Sequence, residues 1–216
     1  DRFGYAKIVD TSVYERNKEA ADTENRYILT CKNTDKICIF TNKGQMHLLK
    51  VLDLPYGKFR DKGIPIDNLS NYDSSEENFI YIINLGAIIH SRLLFGTKTA
   101  MLKMVDGSEF DVAKRTTAST KLNEDDELLI VHAMTGEETV VMQSEKEMFL
   151  RIEASTIPEK KKGAVGVRGM KLNAGDALSN IYVLDGENEQ TVEVKGKEVV
   201  LNRLRVGNRD TKGTKR

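Results

Sequence analysis

Basic side chains recur in short clusters behind apolar runs, and they are the residues whose chemistry is easiest to recognise. Lysine and arginine spaced along one surface bind phosphate groups by displacing counterions, with little reading of base sequence. If similar units are arranged around an axis, equivalent clusters share one edge and form a belt. The clusters are Lys58, Arg60 and Lys62; Lys114 and Arg115; Lys160, Lys161 and Lys162; and Arg209, Lys212, Lys215 and Arg216.

Searches for catalytic and metal-binding residues find none. The histidines His47, His90 and His132 lie in strand-like runs with no cysteine or carboxylate at ligand spacing. The sequence has no Walker loop, no Gly-x-Ser-x-Gly turn and no EF-hand loop. Cys38 lies in the apolar run 37–40 and is expected to be a small buried hydrophobe. We therefore expect no catalytic residue, metal site or cofactor in this chain.

The charge balance conceals a strong segregation. The 216 residues carry 33 lysines plus arginines and 33 aspartates plus glutamates, which argues against a uniformly basic nucleic-acid binder. Residues 195–216 nevertheless hold eight basic and two acidic side chains, whereas acidic residues cluster at 72–78, 123–127 and 185–189. No apolar run reaches the roughly 18 residues of a membrane span, so no membrane association is expected. The chain begins at Asp1 without a leader, from which we expect a piece of a longer protein.

The chain resembles itself at intervals of roughly 50 residues, which is typical of a repeat array. "IFTNKGQMHLLKV" (39–51) resembles "LFGTKTAMLKMV" (94–105), "VMQSEKEMFLRI" (141–152) and "VEVKGKEVVLNRL" (192–204). Lys43 and Lys98 mark the turn in the first two of these copies. The repeat boundaries fall at roughly 1–34, 35–90, 91–137, 138–187 and 188–216, with strands exchanged between repeats. Together they form one domain over residues 1–216.

Each repeat has the pattern of β-strands, because short runs rich in Val, Ile, Leu, Phe and Tyr are bounded by Gly, Asn, Asp and Lys. About four strands in each of five units predicts an all-β propeller, without a long helix in residues 37–206. Leu54, Leu122 and Leu172 are expected to be buried between its blades. The predicted strands are Tyr27–Cys31, Lys36–Thr41, Gln45–Leu52, Phe79–Asn84, Leu128–Ala133, Thr139–Met142 and Glu147–Ile152.

A lysine–glycine pair also recurs in the later part of the repeat. "KGIPIDNL" (62–69) aligns with "KGAVGVRGMKL" (162–172), and Lys212-Gly213 follows about 50 residues later. Since glycine allows a phosphate to approach the backbone closely, the pairs Lys62-Gly63 and Lys162-Gly163 are interpreted as phosphate contacts. The alternative is that each pair is a solvated turn, which becomes less attractive when several copies share one register.

These residues carry a resemblance to a known family. The chain resembles the C-terminal domain of the A subunit of bacterial type IIA topoisomerases, which are gyrase and topoisomerase IV. The matching segments are "FTNKG" (40–44), Leu54-Pro55, Arg60, Lys62-Gly63, Asn68-Leu69 and "KKGAVGVRGMKLNAGDAL" (161–178). The resemblance covers the whole chain. It implies a β-pinwheel, a propeller-like disc of about five four-stranded blades whose rim binds and bends duplex DNA.

The resemblance also implies partners and a place in a larger enzyme. Duplex DNA would be the ligand, ATP and Mg²⁺ would be used outside this domain, and the ATPase B subunit would join through the rest of the A subunit. The isolated domain would be a monomer, and the enzyme would work in the bacterial cytoplasm at the nucleoid. The implied DNA-binding residues are Lys43, Arg60, Lys62, Lys98, Lys114, Arg115, Lys160, Lys161, Lys162, Arg168, Arg203, Arg205, Arg209 and Lys212.

The sequence departs from the gyrase pattern in the first repeat. Gyrase A subunits carry a Gln-Arg-Arg-Gly-Gly-Lys-Gly-like box there, whereas this chain reads "SVYERNKEAADTENRY" (12–27), with three basic and four acidic residues. That departure favours a topoisomerase IV-like subunit that bends DNA without a full wrap. Two alternatives remain, namely a gyrase domain with a degenerate box and a propeller that scaffolds protein partners.

Overall fold

The structure, a computed structural model, describes residues 1–216 and consists mainly of short antiparallel strands. Its helices are α1 (Thr11–Arg16), α2 (Lys18–Glu24) and α3 (Leu85–Ile88). The strands are β1 (Tyr5–Ala6), β2 (Lys36–Thr41), β3 (Gln45–Lys50), β4 (Ile64–Pro65), β5 (Phe79–Asn84), β6 (Arg92–Thr97), β7 (Met101–Asp106), β8 (Thr116–Ala118), β9 (Leu128–Met134), β10 (Thr139–Ser144), β11 (Met148–Glu153), β12 (Val167–Arg168), β13 (Leu178–Leu184), β14 (Thr191–Val194), β15 (Lys197–Val200) and β16 (Thr214–Lys215).

The strands form five sheets, numbered here along the chain. Sheet 1 pairs β1 with β4, and sheet 5 is the hairpin β14–β15. Sheets 2, 3 and 4 have four strands each, in the spatial orders β5-β2-β3-β8, β9-β6-β7-β12 and β13-β10-β11-β16. The predicted all-β propeller is confirmed, and the four-stranded blade is found in the three central sheets.

Each four-stranded sheet is completed by a short strand from further along the chain. The central hairpin of sheet 3, β6–β7, pairs Phe95 with Lys103, and β12 adds Val167 opposite Leu102 on the free edge of β7. In sheets 2 and 4 the exchanged strands are β8 and β16. β4 fills the same position in sheet 1, where Ile64 pairs with Ala6. The chain therefore crosses back to the preceding sheet at every junction.

Four loops make these crossings, and three have equal length. Each loop begins directly after the 3₁₀ turn that follows a hairpin, and each loop ends at an exchanged strand. We name them loop A (54–63), loop B (111–115), loop C (157–166) and loop D (204–213). Loops A, C and D are aligned by parallel bridges of Tyr56 with Ile8, Glu159 with Met104 and Val206 with Arg151. Loop B is half as long and runs directly into β8.

The hydrophobic core lies between neighbouring sheets. Phe40 of sheet 2 contacts Phe95 of sheet 3, with ring centroids 5.9 Å apart, and Phe110 at 5.0 Å. A second cluster joins Leu94 and Leu102 of sheet 3 to Met142 of sheet 4. Since both faces of a central sheet are covered in this way, its hairpin strands are almost continuously buried.

Two predictions about burial have different outcomes. Cys38 is fully buried as expected, and burial raises the pKa of its thiol to about 12. Leu54, Leu122 and Leu172 are only half-buried, although each packs against a different inter-sheet cluster. All three lie in connecting segments, where one side of the leucine remains open to solvent.

Two segments of the first repeat differ from the prediction. Tyr27–Cys31 forms no strand, since its backbone joins no ladder; its side chains Tyr27 and Cys31 pack against the cluster beside sheet 2 instead. Residues 11–24 form the helices α1 and α2, although no helix was expected there. The segment lacks an apolar stripe, and only Ala21 is buried, so hydrophobic periodicity gave no signal.

The structure also corrects the register of the lysine–glycine pairs. Gly63, Gly166 and Gly213 each precede the first residue of an exchanged strand, so Gly166 is the equivalent of Gly63, and Gly163 is not. A Cβ atom on Gly166 would lie 2.5 Å from the carbonyl oxygen of Leu102, whereas one on Gly163 would meet nothing within 4 Å. At Gly63 and Gly166, glycine allows two protein backbones to approach. The phosphate contacts interpreted at Lys62-Gly63 and Lys162-Gly163 stay a prediction.

This register predicts that two alanine substitutions in loop C differ in their effect on stability. Gly166→Ala forces β12 away from β7 and should lower the free energy of unfolding by about 1–3 kcal/mol, as overpacking does. Gly163→Ala adds the same methyl group in open space and should change stability by less than about 0.5 kcal/mol. Urea denaturation of both variants measures the difference. Equal effects would contradict the register.

Candidate nucleic-acid interface

The predicted basic clusters lie on the four loops and beside them. Loop A carries Arg60 and Lys62, and loop B carries Lys114 and Arg115. Loop C carries Lys160, Lys161 and Lys162, and loop D carries Arg205, Arg209 and Lys212. Because the loops make equivalent crossings, their basic residues occupy successive junctions between sheets. Arg168 follows loop C on β12, and Arg203 precedes loop D in a 3₁₀ turn.

Lys43 and Lys98 lie apart from the loops. Each is in a hairpin turn, at the end of the hairpin opposite the 3₁₀ turn from which the loop departs. Their ammonium groups share the carboxylate of Glu127, at 3.2 Å from Lys43 and 2.6 Å from Lys98. Hydrogen bonds from Lys98 and Lys43 lower the pKa of Glu127. The two turn lysines are therefore partly neutralised by this carboxylate.

Several of the candidate residues have carboxylate partners. Lys161 lies 3.4 Å from Glu109, Arg115 lies 3.7 Å from Asp53, and Arg203 lies 3.5 Å from Glu189. Arg168 pairs with Asp210, and this hydrogen bond lowers the pKa of the Asp210 carboxyl. Pairs this exposed contribute little stability. Their basic members can therefore exchange the carboxylate for another anion at small cost.

A second group of candidates has no carboxylate within 4.0 Å. Its members are exposed or half-exposed on loops A to D. They are Arg60, Lys62, Lys114, Lys160, Lys162, Arg205, Arg209 and Lys212. Lys162 donates to a backbone carbonyl oxygen and Arg209 donates to two, whereas the other six are free to pair with a ligand. Lys62 lies over the ring of Tyr5, 4.4 Å from its centroid, which orients the ammonium without neutralising it.

The structure adds Lys171, which was absent from the predicted set. Lys171 lines a shallow cleft of about 390 Å³ together with Thr99, Arg168, Met170, Leu172 and Lys212. Loop D is held against this segment, since the Lys171 amide donates to the Thr211 carbonyl at 2.9 Å. Three cations thus surround one cleft. The sequence signal that could have identified Lys171 is its position in "GVRGMKL" (166–172), three residues after Arg168.

Lys103, also absent from the predicted set, is buried beneath loop C. It lies in β7 and is 1% exposed. Its ammonium donates to the carbonyl oxygens of Lys161 at 3.1 Å, Lys162 at 2.9 Å and Ala164 at 2.7 Å. Burial lowers the pKa of Lys103 from 10.5 to about 8, and the charge of Lys160 acts in the same direction. The middle of loop C is therefore built around a buried cation.

The histidines and acidic residues form no group of three or more that could hold a metal ion. His47 is buried, with its Nε2 atom 2.6 Å from Glu77 Oε1 and its Nδ1 atom 2.9 Å from the hydroxyl of Thr116. None of the helices is long and apolar enough to cross a membrane.

Lys103 makes the stability of the protein depend on pH. Between about pH 8 and pH 10.5 the folded state binds fewer protons at this site than the unfolded state, so this contribution to stability rises with pH. We expect the free energy of unfolding of the wild type to increase relative to that of Lys103→Met across this window. Urea denaturation at several pH values measures it, and a difference that falls with pH would contradict the lowered pKa.

The chain is similar to known proteins over most of its length. The family described as "DNA gyrase C-terminal domain, beta-propeller" matches residues 91–133 and 138–185. The DNA gyrase A subunit of Staphylococcus epidermidis is 31% identical over 196 residues, which is 87% of this chain and 22% of the relative. That of Lawsonia intracellularis is 27% identical over 231 residues, covering 98% of this chain and 28% of the relative. The chain thus spans about a quarter of the length of these relatives.

Solved structures share the fold. The C-terminal domain of DNA topoisomerase IV superposes with a TM-score of 0.86 at 22% identity, covering 98% of this chain and 69% of that one. The C-terminal domain of E. coli ParC gives 0.70 at 15% identity, with 86% and 78% covered. The gyrase A C-terminal domain gives 0.63 at 21%, with 86% and 61% covered. Residues 91–133 and 138–185 thus match the gyrase C-terminal β-propeller family, and the chain shares the fold of the gyrase and topoisomerase IV C-terminal domains.

Proposed function

We propose that this domain binds and bends duplex DNA along loops A to D, as part of the A subunit of a topoisomerase IV-like enzyme. The observation that carries the proposal is the recurrence of basic loops at four successive junctions between sheets, three of them equal in length. A duplex that contacts successive junctions must follow their curvature. Bending a site of 20–30 base pairs costs about 1–6 kcal/mol, which several phosphate contacts can offset.

The remaining parts of the mechanism lie outside this chain. The domain presents duplex DNA to the strand-passage machinery, which uses ATP and Mg²⁺ and includes the B subunit. The domain itself acts as a monomer and has no catalytic role. The enzyme works in the bacterial cytoplasm at the nucleoid. These statements extend the match to the gyrase C-terminal family and are part of the proposal.

The first repeat favours topoisomerase IV over gyrase. The segment 12–27, where the gyrase box is expected, forms α1 and α2 and holds more acidic than basic side chains. A surface with this balance repels phosphate. The second candidate is a gyrase domain with a degenerate box, which is favoured by the sequence matches to gyrase subunits. A protein scaffold is a third candidate, favoured by the zero net charge.

Charge reversal in loop C tests the DNA interface. Lys160, Lys161 and Lys162 changed to Glu should weaken binding to unrelated duplexes to the same degree, because phosphate contacts carry no sequence information. The slope of log K against log salt should fall by about 0.9 for each phosphate that is no longer neutralised. Fluorescence anisotropy at several salt concentrations measures both quantities.

The matched control reverses three exposed lysines outside the loops, Lys18, Lys32 and Lys197, and so changes the net charge equally. The control should retain most of the affinity. Equal losses in both variants would mean that only overall charge matters. A loss in the loop C variant for one DNA sequence alone would replace the proposal with base reading, and no binding by the wild type would favour the scaffold.

Activity of the assembled enzyme separates topoisomerase IV from gyrase. Without a basic box on the first repeat, a bent duplex is not constrained in a full turn. We therefore expect the full-length A subunit with its B subunit and ATP to relax and decatenate DNA, but to introduce few negative supercoils. Gel analysis of relaxed plasmid measures this. Efficient negative supercoiling would reject topoisomerase IV and establish the gyrase candidate.

A further inference from the structure

One strand position recurs beside each loop, and its side chain differs from sheet to sheet. In β1, β7 and β11, the residues Ala6, Leu102 and Phe149 pair with the first residue of the exchanged strand. The residue that follows each of them is Lys7, Lys103 or Leu150. At the same place in the hairpin of sheet 2 the residue is His47, which itself pairs with Thr116, the first residue of β8. A basic residue therefore occupies this position beside loops A and C.

Lys7 and Lys103 bind the same three positions of their loops. The Lys103 ammonium donates to the carbonyl oxygens of the residues six, five and three places before β12, which are Lys161, Lys162 and Ala164. The Lys7 ammonium donates to the residues six, five and three places before β4, which are Lys58, Phe59 and Asp61. Two lysines about a hundred residues apart thus make one arrangement.

This arrangement gives every N–H donor of the ammonium group an acceptor, and it orients the backbone of the loop. An ammonium group has three donors and no acceptor, and three carbonyl oxygens use all of them. The negative ends of three peptide dipoles consequently turn towards the strand and away from solvent. An anion that approaches the loop meets its basic side chains without facing these oxygens, which would repel it.

Loop D shows that a loop of this length can be held in another way. Leu150 occupies the equivalent position there, and the Arg209 guanidinium donates to the carbonyls of Thr156 and Arg168. The Asp210 amide adds a bond to the Gly169 carbonyl at 2.7 Å. A lysine is thus not required to close the ten-residue crossing. Lys7 and Lys103 occur at the two long loops whose basic residues lie close together in sequence, within 58–62 and 160–162, whereas those of loop D are spread over residues 205–212.

We propose that Lys7 and Lys103 are positioning residues for DNA, each holding the backbone of the adjacent basic loop so that its side chains face the phosphates. Lys103 acts through Lys160–Lys162, and Lys7 acts through Arg60 and Lys62. Lys103 does not touch DNA itself, since it is buried under its loop, and the Lys7 ammonium is occupied by three loop carbonyls. The inference rests on the proposed DNA-binding function and adds a specific way in which the fold prepares the loops.

The test is the Lys103→Met variant of the full chain. The control is Lys18→Met, which also removes one positive charge but at an exposed position in α2. Without DNA, Lys103→Met should speed amide hydrogen exchange in residues 160–166 by about tenfold, leaving β6 and β9 protected. It should also weaken duplex binding several-fold. In a background with Lys160, Lys161 and Lys162 changed to Ala, it should weaken binding no further, because a positioning residue acts only through the loop.

Each outcome bears on a different statement. If the wild type binds DNA but loop C exchange is unchanged in Lys103→Met, or if its loss of affinity adds to that of the loop variant, the positioning role is wrong and the DNA function stands. If the wild type binds no duplex, the DNA function fails and the positioning role fails with it. Lys7→Met provides an independent variant in a two-stranded sheet, where exchange should rise in residues 57–62.

Discussion

Completion of sheets 1 to 4 by a strand from the next repeat is the constraint on which the rest of the structure depends. A two-stranded hairpin is marginally stable alone, and the exchanged strand together with the neighbouring sheet supplies what it lacks. The exchange requires close backbone contact, since Gly166 approaches Leu102 too closely to admit a side chain. It also forces a connecting loop to every junction. The positions of the basic loops are thus a consequence of how the sheets close.

The zero net charge is compatible with a polyanion-binding surface because the charges are sorted by position. Glu127 neutralises the turn lysines Lys43 and Lys98, away from the crossings. On the crossings, Arg60, Lys114 and Lys212 are exposed with no carboxylate partner. Where carboxylates do reach the loops, as Glu109 does, they also accept from the backbone and help to fix it, since the Lys162 amide donates to Glu109 at 3.0 Å. Composition alone hides this separation.

The sequence predicts those features that repeat locally. Hairpin turns and continuous apolar strands recur at a fixed interval, so the propeller and most strands of the central sheets follow from periodicity. The equivalence of Gly63 and Gly166 does not follow from periodicity, because it depends on which strand of another sheet the chain pairs with. Helices α1 and α2 were missed since propensity without an apolar stripe gives no periodic signal. The first repeat is therefore the part that local reasoning describes least well.

The same distinction applies to the candidate site. Clusters such as Lys160–Lys162 are visible as runs of charge, whereas Lys103 stands between Leu102 and Met104 and looks like the solvent-facing residue of an alternating strand. Its burial follows from loop C, which crosses over it from a later repeat. A buried ammonium stabilised by peptide carbonyls is a costly choice for a core position, as its lowered pKa indicates. Leu150 demonstrates that an apolar residue closes the equivalent position of the next sheet. In the proposed positioning role, Lys103 acts on the loop above it, and the function of that loop depends on where its charges point.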